Sequence, residues 1–420
     1  MATSTSTAPI DTKNAQKISL EVSTLEPMLP PVPPPPPALP PLPLPPAPAR
    51  PTPALRVRRW PFALAALAFV GPIGLVVASG ITRDSFAITP GEASPTGTRI
   101  TVDKAKTYTD SKGEVLFVTV GVPRLNALSE QIAKRDDESE IVPARAILGD
   151  KSPSQNRQEN LQLMGYSKDF ASFVALTRVG YKVTLAGGGS VVDSTCMQPS
   201  DDGKTCVRES PAAKQLHPQD VIVAIEGQPV HVSSDIPAII RGHQPGDVVT
   251  ITVKRAKEPK ALDLPVELTV STSAGDARTI IGFVPNDAPP ADLTFAFPVD
   301  VGINSGQVSG PSAGLAFTLA LLDKLTAGDL TGGHRIAATG TMSPNERVGN
   351  IGGIRQKTVA VERAGADTFL VPIDEAPEAE AQAKGTKLKI VGVRDLDDAL
   401  TALRQLGGNV DALTAGRTTS

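Results

Sequence analysis

Cysteine, aromatic residues and net charge are all low in this chain, and each narrows what the chain can be. Its two cysteines, Cys196 and Cys206, are too few for a zinc ribbon or a ferredoxin cluster, and we predict no metal or cofactor site. Aromatic residues make up only 4% of the 420 residues, so aliphatic side chains must build most of the core. A net charge of −3 at pH 7 gives no electrostatic case for binding nucleic acid. The phosphate-binding pattern GxxxxGK(S/T) is also missing, so we expect no use of ATP.

One apolar run is long enough to cross a membrane. Residues Trp60–Ile81 carry no charge over 22 positions, and about 20 apolar residues span a hydrocarbon core. Three arginines lie just before the run, whereas Arg83 and Asp84 cancel just after it. The positive-inside rule therefore predicts a single-pass protein of the cell membrane, with a cytoplasmic amino terminus and an extracytoplasmic remainder. A signal peptide cleaved near Ala78-Ser79-Gly80 is the alternative.

Residues 1–55 precede this run and cannot bury a core. Sixteen of the 40 prolines lie between Pro27 and Pro53, after a stretch rich in serine and threonine. We therefore predict a disordered cytoplasmic tail with polyproline II character. The tail is either a ligand for a PxxP-binding domain or a stiff solvated segment. Residues 83–165, beyond the membrane run, are predicted to be an extracytoplasmic β-rich segment whose role the sequence does not indicate.

Residues 166–270 are predicted to form a compact β-rich domain with one or two helices. The segments SPAAKQLHPQDVIVAIEGQPV and IPAIIRGHQPGDVVTITVKR carry its pattern of apolar strands, Gly/Pro turns and short helices. This order resembles the PDZ domains of bacterial proteases. The resemblance implies that a peptide adds to an edge of the sheet while backbone amides hold its terminal carboxylate. Val179, Gly180 and Tyr181 are then the candidate peptide-binding residues, and a folded spacer that binds nothing is the alternative.

The two cysteines lie within this PDZ-like region. If the region is extracytoplasmic, as the membrane run predicts, it lies in an oxidising compartment. We therefore predict a structural disulfide between Cys196 and Cys206 that closes a small loop.

Three short segments near the carboxyl end carry groups suited to chemistry. Ser312 lies in the turn GPSAG, which opens directly into an apolar helix whose free amides favour negative charge. Lys357 ends the segment GGIRQK on a helix packed against the core, where burial would lower its pKa and let it act as a neutral base. Thr339 ends a strand, where its hydroxyl can orient the amine. Taken singly, they are explained as a helix cap, a surface lysine and a strand-end threonine.

Together these segments resemble the proteolytic domain of Lon-type peptidases. That family pairs a serine in a GPSAG turn with a lysine in a GGxxxK segment 40-odd residues later, and here the interval is 45 residues. The resemblance implies that Ser312 is the nucleophile, Lys357 the general base and Thr339 the residue that steadies the lysine. It also makes the amides of Gly310, Ser312 and Ala313 the candidate oxyanion donors. A histidine triad has no support, because the four histidines are scattered.

Two positions depart from the ATP-dependent Lon enzymes. Ser309 replaces an acidic residue three positions before the serine, and Asn350 stands where proline is often found. Neither removes the serine–lysine pair, although the first leaves the local regulation of the site open.

The sequence therefore predicts an α+β multidomain protein with one transmembrane helix, a PDZ-like domain at 166–270 and a Lon-type α/β proteolytic domain at 275–410. The expected function is ATP-independent serine endopeptidase activity on unfolded or flexible extracytoplasmic proteins. Its partners would be protein or peptide substrates and the lipid bilayer, and the family's rings imply a homo-oligomer. The PDZ-like domain would recognise substrate tails or gate access. The alternative is a PDZ adaptor with a catalytically silent Lon-like domain.

Overall fold

The computed structural model describes residues 79–109, 111–200, 205–271, 277–286 and 292–415. The tail at residues 1–55 and nearly all of the apolar run Trp60–Ile81 lie outside these ranges. Among the residues that are described, no helix is both long enough and apolar enough to span a membrane.

Two separate parts of the chain build one α/β domain, which we define as residues 82–178 and 292–415. The first part contains five strands and three helices: β1 (Thr82–Pro95), β2 (Ile100–Asp103), β3 (Glu114–Gly121), β4 (Arg124–Asn126), α1 (Ala127–Ala133), β5 (Glu140–Pro143), α2 (Ala144–Leu148) and α3 (Pro153–Arg178).

Between the two halves of the α/β domain, the described residues form eleven strands and one helix: β6 (Thr184–Ala186), β7 (Ser190–Ser194), β8 (Cys196–Pro199), β9 (Cys206–Glu209), β10 (Val221–Ile225), β11 (Gln228–Pro229), α4 (Ile236–Ile239), β12 (Val248–Lys254), β13 (Leu262–Glu267), β14 (Thr269–Val270), β15 (Thr279–Ile280) and β16 (Val284–Pro285).

The second part of the α/β domain contains the remaining strands and helices: β17 (Thr294–Ala296), β18 (Asp300–Ile303), α5 (Gly314–Leu325), β19 (Arg335–Ala338), β20 (Thr341–Met342), β21 (Val348–Gly349), α6 (Ile354–Arg363), β22 (Thr368–Pro372), α7 (Ala376–Gln382), β23 (Lys389–Val393), α8 (Leu396–Gln405) and α9 (Ala412–Ala415). Short 3₁₀ turns at Gly97–Arg99, Pro211–Lys214, Ser233–Asp235 and Ile373–Glu375 complete the regular structure.

A mixed sheet joins the two parts of the α/β domain. Its order is β23-β22-β19-β3-β1-β4, with β5 also paired to β1. The pairs β23–β22, β22–β19 and β19–β3 are parallel, whereas β1 runs antiparallel to β3. Because β3 lies between β19 and β1, residues 83–165 are not a separate segment of unknown role. This corrects the predicted domain boundary, since the domain needs strands from both ends of the described chain.

Apolar residues cover both faces of this sheet. Val115 and Phe117 of β3 point into a core with α3, α5 and α8, whereas Leu116 and Val118 point into a second core with α6 and α7. Successive side chains of a strand alternate between the faces, so a strand buried on both sides is continuously apolar. Ser152 caps the helix α3, and its side chain and that of Gln155 form a capping box. Residues 166–178 pack in the core of the α/β domain, so the predicted start of the PDZ-like domain at residue 166 is wrong.

The inserted domain, which we define as residues 187–286, is a separate β structure with its own core. Its main sheet has the order β13-β12-β10-β7-β16, with β11 paired to β10. Fourteen buried residues fill the core, among them Ile222, Ile251 and Val266, each with no exposed surface. Next to this sheet, a disulfide joins Cys196 to Cys206 across the β8–β9 hairpin.

The strands β6 and β17 form a two-stranded neck between the inserted domain and the α/β domain. The glycines 187–189 follow β6 directly, and all three have positive φ, at 72°, 80° and 143°. A Cβ atom on any of them would lie within 2.6 Å of a backbone oxygen, so only glycine fits this crossing.

Candidate active site

Ser312 lies in the turn that leads into α5, directly before Ala313 at the amino-terminal end of that helix. Two backbone hydrogen bonds fix this turn to the end of β19. The amide of Gly340 donates to the carbonyl of Ser312 at 2.9 Å, and the amide of Leu315 donates to the carbonyl of Gly340 at 3.1 Å. Gly340 has φ +143°, and a Cβ there would lie 2.5 Å from the Val348 side chain. Glycine is therefore required where the strand meets the serine turn.

Lys357 lies in the first half of α6, on the opposite face of the sheet from α5. Its side chain is 2% exposed, which is rare for lysine. The helix begins after Gly353, whose φ is +71°, and a Cβ there would lie 3.0–3.1 Å from the side chains of Val120 and Ile88. The glycine lets the start of α6 pack tightly on β1 and β3, and this packing buries the lysine.

The three predicted catalytic side chains meet at the carboxyl end of β19. Lys357 Nζ lies 2.9 Å from Ser312 Oγ and 3.0 Å from Thr339 Oγ1. The Thr339 hydroxyl donates in turn to the carbonyl of Ser312 at 3.1 Å. Thr339 is completely buried, so its hydroxyl is held between the amine and the serine backbone. One side chain thereby sets the position of both partners.

Burial lowers the pKa of Lys357 to about 7, because the protonated amine is desolvated. The negative charge of Glu375 acts in the opposite direction. No carboxylate of the described residues forms an ion pair with Lys357. A large fraction of the amine is therefore neutral near pH 7, with a lone pair beside the serine hydroxyl. This is what a general base for serine requires.

The backbone around Ser312 offers two of the three predicted oxyanion donors. Within the described part of the chain, the amides of Ser312 and Ala313 donate to no carbonyl. The amide of Gly310, in contrast, donates to the carbonyl of Asn160 at 2.9 Å. The prediction that Gly310 is an oxyanion donor is therefore wrong, because its amide hydrogen is already bonded to Asn160. The amides of Ser312 and Ala313 remain for a negative oxygen.

The supporting role of α3 could not be predicted from the sequence. This helix holds the serine turn through Asn160 and through Ser167, whose hydroxyl donates to the carbonyl of Pro311 at 3.0 Å. The capping-box residues Ser152 and Gln155 marked the start of a helix, but nothing local connected that helix to a turn 150 residues later.

The predicted peptide-binding residues lie elsewhere than expected. Val179, Gly180 and Tyr181 follow the end of α3, and their amides donate to carbonyls of its last turn at 3.0–3.1 Å. Val179 and Tyr181 also pack on the core of the α/β domain. These amides are already bonded and therefore cannot hold a carboxylate. The prediction is therefore wrong for all three.

A different strand forms the edge of the inserted sheet that faces the α/β domain. Among the described residues, β16 pairs only with β7 and ends the sheet. The pairing continues beyond the strand, because the amide of Asn286 donates to the carbonyl of Val191 at 2.9 Å. Gly282, two residues before β16, has φ +91°. A short strand after a left-handed glycine gave no periodic signal that could be recognised from the sequence.

Fold and site together define an α/β domain that holds a buried serine–lysine pair and carries an inserted β domain. Comparison with protein families gives the particular types. Residues 282–405 match the Lon protease (S16) C-terminal proteolytic domain, and residues 180–266 match the PDZ domain. The chain therefore contains a PDZ domain inserted into a Lon-type proteolytic domain, and the predicted resemblance to both is confirmed.

Curated relatives agree with this assignment. The Lon protease of Roseiflexus castenholzii is 30% identical over 147 residues, which is 32% of this chain and 18% of that protein. The Lon protease of Chloroflexus aggregans is 28% identical over 207 residues, covering 47% of this chain and 24% of that protein. This chain thus spans less than a quarter of these relatives. Among solved structures, the PDZ domain of an SdrC-like protein from Listeria monocytogenes is 26% identical, with a TM-score of 0.19, and covers 24% of this chain and 92% of its own.

Proposed function

We propose that this chain is an ATP-independent serine endopeptidase with Ser312 as nucleophile and Lys357 as general base. The observation that carries the proposal is the separation of 2.9 Å between a buried lysine amine and a serine hydroxyl at the start of a helix. A pKa of about 7 for Lys357 supports its role as a base, because the neutral amine is then abundant at physiological pH.

The proposed reaction proceeds in two steps. The Ser312 hydroxyl donates its proton to the neutral amine of Lys357 as the oxygen attacks a peptide carbonyl. The amides of Ser312 and Ala313 stabilise the negative oxygen that forms, and the Lys357 ammonium then donates the proton to the leaving amine. In the second step Lys357 takes a proton from water as its oxygen attacks the ester, and the ammonium then returns this proton to Ser312 Oγ as the acyl group leaves as the acid. Thr339 keeps the amine aligned throughout.

Two further features belong to the proposal. No GxxxxGK(S/T) loop occurs in the 420 residues, which favours cleavage without ATP and hence unfolded or flexible protein substrates. The disulfide between Cys196 and Cys206 favours an oxidising compartment, in keeping with an anchor at Trp60–Ile81 and extracytoplasmic domains. A homo-oligomer remains an expectation from the Lon-type resemblance.

For the inserted domain we propose peptide binding along β16. An extended segment can add to a free sheet edge through backbone hydrogen bonds, and among the described residues β16 is paired on one side only. The domain would then select substrate tails or gate access to Ser312. The competing function, a PDZ adaptor with a silent catalytic domain, gives no chemical reason for burying a lysine beside a serine.

The test compares the full-length chain, purified in detergent, with Ser312→Ala and Lys357→Ala variants on casein without nucleotide. We expect cleavage by the wild type and at least a 1,000-fold loss in both variants, about the size of a general-base contribution combined with loss of the nucleophile. Equal turnover by all three proteins would reject the serine–lysine pair. No turnover by any of them would favour the adaptor.

A further inference from the structure

The loop that leads to the nucleophile carries no charge of its own. Residues 304–311 read NSGQVSGP and contain neither an acidic nor a basic side chain. Within this loop only Ser305 is buried, and the other residues are at least partly exposed. A charged group beside this loop therefore finds no ionic partner in the loop itself.

Arg99 lies beside this loop, at the end of the 3₁₀ turn Gly97–Arg99. Its guanidinium stacks over the Phe117 ring, with Cζ 5.0 Å from the ring centroid. Its carbonyl accepts a hydrogen bond of 2.9 Å from the amide of Asn304, and a Cβ atom on Gly306 would lie 3.9 Å from Arg99 Nη1. Stacking on an aromatic ring holds a guanidinium in a fixed orientation and leaves its N–H groups free to donate. Arg99 is therefore a half-buried, oriented cation beside the loop.

Arg157 contacts the same loop from α3. Its Nη2 donates to Gln307 Oε1 at 3.4 Å, so the two guanidinium groups lie at adjacent residues of the loop. One helical turn after Arg157, the carbonyl of Asn160 accepts from the amide of Gly310, two residues before Ser312. The Cα atoms of Arg157 and Ser312 therefore lie within about 20 Å of each other, which is about six residues of extended polypeptide.

Neither guanidinium forms an ion pair with a carboxylate of the described residues. Glu159, the acidic residue nearest to Arg157 along α3, is bonded to Lys151. Asp300 is bonded to Lys104, at the other end of the β2–β18 pair from Arg99. Arginine binds a carboxylate through charge-assisted hydrogen bonds, and here no carboxylate has to be displaced first. Two such cations beside one uncharged loop favour an anionic ligand.

We propose that Arg99 and Arg157 bind a carboxylate of the polypeptide substrate, up to about six residues from the bond that Ser312 attacks. The carboxylate is either an acidic side chain or the carboxyl terminus of the substrate. Lysine and arginine are disfavoured at the same position, because two cations already occupy the site. This inference rests on the proposed peptidase function and adds a charge preference to it.

Turnover of peptides by the full-length protein in detergent measures this preference. The substrates are uncharged, fluorescence-quenched peptides of about 14 residues with blocked ends. A single glutamate, glutamine or lysine is moved along them one position at a time, and mass spectrometry identifies the cleaved bond. At one position, or at two adjacent ones, we expect glutamate to raise kcat/KM at least about 5-fold over glutamine and lysine to lower it.

A peptide that ends at the preferred position, with a free carboxyl terminus and no glutamate, tests the second source of the carboxylate. A gain for this peptide assigns the site to the terminus, and a gain for glutamate assigns it to a side chain. If neither peptide gains over its uncharged counterpart at any position, the proposal is wrong.

Variants of Arg157 locate the site on α3. The side chain is exposed and makes one hydrogen bond with the described residues, so Arg157→Gln removes the charge with little effect on packing. We expect this variant to lose the preference for glutamate and Arg157→Glu to prefer lysine instead. A reversed preference cannot arise from misfolding. Arg135→Gln removes the same charge from an exposed position after α1 and should keep the full preference. The same preference in Arg157→Gln and Arg135→Gln would reject the site.

Arg99 is half-buried, so its test keeps the size of the side chain and changes only the charge. Arg99→Lys should retain part of the preference for glutamate, whereas Arg99→Gln should lose it. Retention of the full preference by Arg99→Gln would remove Arg99 from the site.

The catalytic proposal fails separately. Binding of the glutamate and glutamine peptides to the Ser312→Ala protein, measured by fluorescence anisotropy, tests the carboxylate site without turnover. The ester p-nitrophenyl acetate has no carboxylate, so its turnover tests Ser312 and Lys357 alone. Ester turnover that does not depend on Ser312, together with glutamate-selective binding, would reject the catalytic pair and retain the carboxylate site. Ser312-dependent turnover without any preference for a carboxylate would reject the site and retain the pair.

Discussion

The carboxylate of Glu375 accepts a hydrogen bond of 2.8 Å from the amide of Ile351, in the turn that leads to Gly353 and the helix of Lys357. Its second carboxylate oxygen is buried without a partner among the described residues. Burial lowers the pKa of Lys357 to about 7, and the charge of Glu375 limits that decrease. Glu375 therefore holds this turn and keeps the pKa of Lys357 higher than burial alone would make it.

Removing the negative charge of Glu375 should shift the pH dependence of kcat/KM. For the wild type, kcat/KM on a peptide substrate should rise through about pH 7 as Lys357 loses its proton. Glu375→Gln keeps an oxygen for Ile351 but removes the negative charge, so the pKa of Lys357 falls further and the acidic limb moves to lower pH. Glu378→Gln, an exposed neighbour, is the control and should leave the limb in place. A shift of the Glu375→Gln limb to higher pH would contradict this assignment.

Substitutions of Thr339 test whether its hydroxyl aligns the Lys357 amine with Ser312. Thr339→Val keeps the shape of the side chain but removes the hydroxyl that accepts from Lys357 and donates to the Ser312 carbonyl. We expect kcat to fall about 10- to 100-fold, part of the 10²–10⁴ that a positioned base contributes, with KM little changed. Thr339→Ser should restore most of the rate. Similar rates for valine and threonine would mean that the hydroxyl has no role in orienting the amine.

The buried lysine should also weaken the fold in a pH-dependent way. The pKa of Lys357 is about 7 in the folded state, whereas that of an exposed lysine is 10.5. Between these values the unfolded chain binds more protons, so the stability of the wild type rises with pH; each pKa unit is worth about 1.4 kcal/mol.

Lys357→Met removes this dependence. In urea unfolding, the stability of the methionine variant relative to the wild type should be greatest near pH 7 and decrease by a few kcal/mol toward pH 10. A relative stability that stays constant over this range would show that Lys357 titrates normally in the folded protein.

The support from α3 can be tested with two serines of one helix. Ser167→Ala removes the hydroxyl that donates to the Pro311 carbonyl, whereas Ser172→Ala removes one that donates to Lys168 within the helix itself. Losing one hydrogen bond of about 1 kcal/mol should lower kcat/KM about 5-fold for Ser167→Ala. Ser172→Ala should match the wild type in activity even if both variants lose similar stability. Equal activity of the two variants would show that the hydrogen bond from α3 does not support the serine turn.

The sequence could predict those features of the site that depend on residues close together along the chain. Ser312, Lys357 and Thr339 each sit in a short segment whose glycines, apolar positions and spacing mark the local backbone. The strand β3 lies in the segment that was predicted to be β-rich, and its residues Val115–Val118 are apolar and buried. Its partner strand could not be predicted, since β3 pairs with β19 more than 200 residues later, across the inserted domain.

The errors in the predicted sites have two different causes. The amide of Gly310 donates to the carbonyl of Asn160 in α3, a helix whose start lies in the segment that the sequence left without a role. The error at residues 179–181 is local, because their amides donate to carbonyls three to five residues earlier, where α3 ends. The first contact joins residues 150 positions apart, so nothing local could predict it, whereas the second depends on where a helix ends.

The discontinuous domain leads to a prediction about fragments. Residues 275–420, which contain the predicted Lon-type domain and all three catalytic side chains, lack β1, β3 and α3. Without β3 the edge of β19 is unpaired, and the apolar face of α5 that packs on α3 is exposed to water. We expect this fragment to aggregate or to show no cooperative unfolding by circular dichroism, whereas residues 79–420 unfold cooperatively. Adding residues 79–186 as a separate chain should restore soluble protein and Ser312-dependent ester turnover. Cooperative unfolding and full activity of 275–420 alone would show that the proteolytic fold does not need residues 82–178.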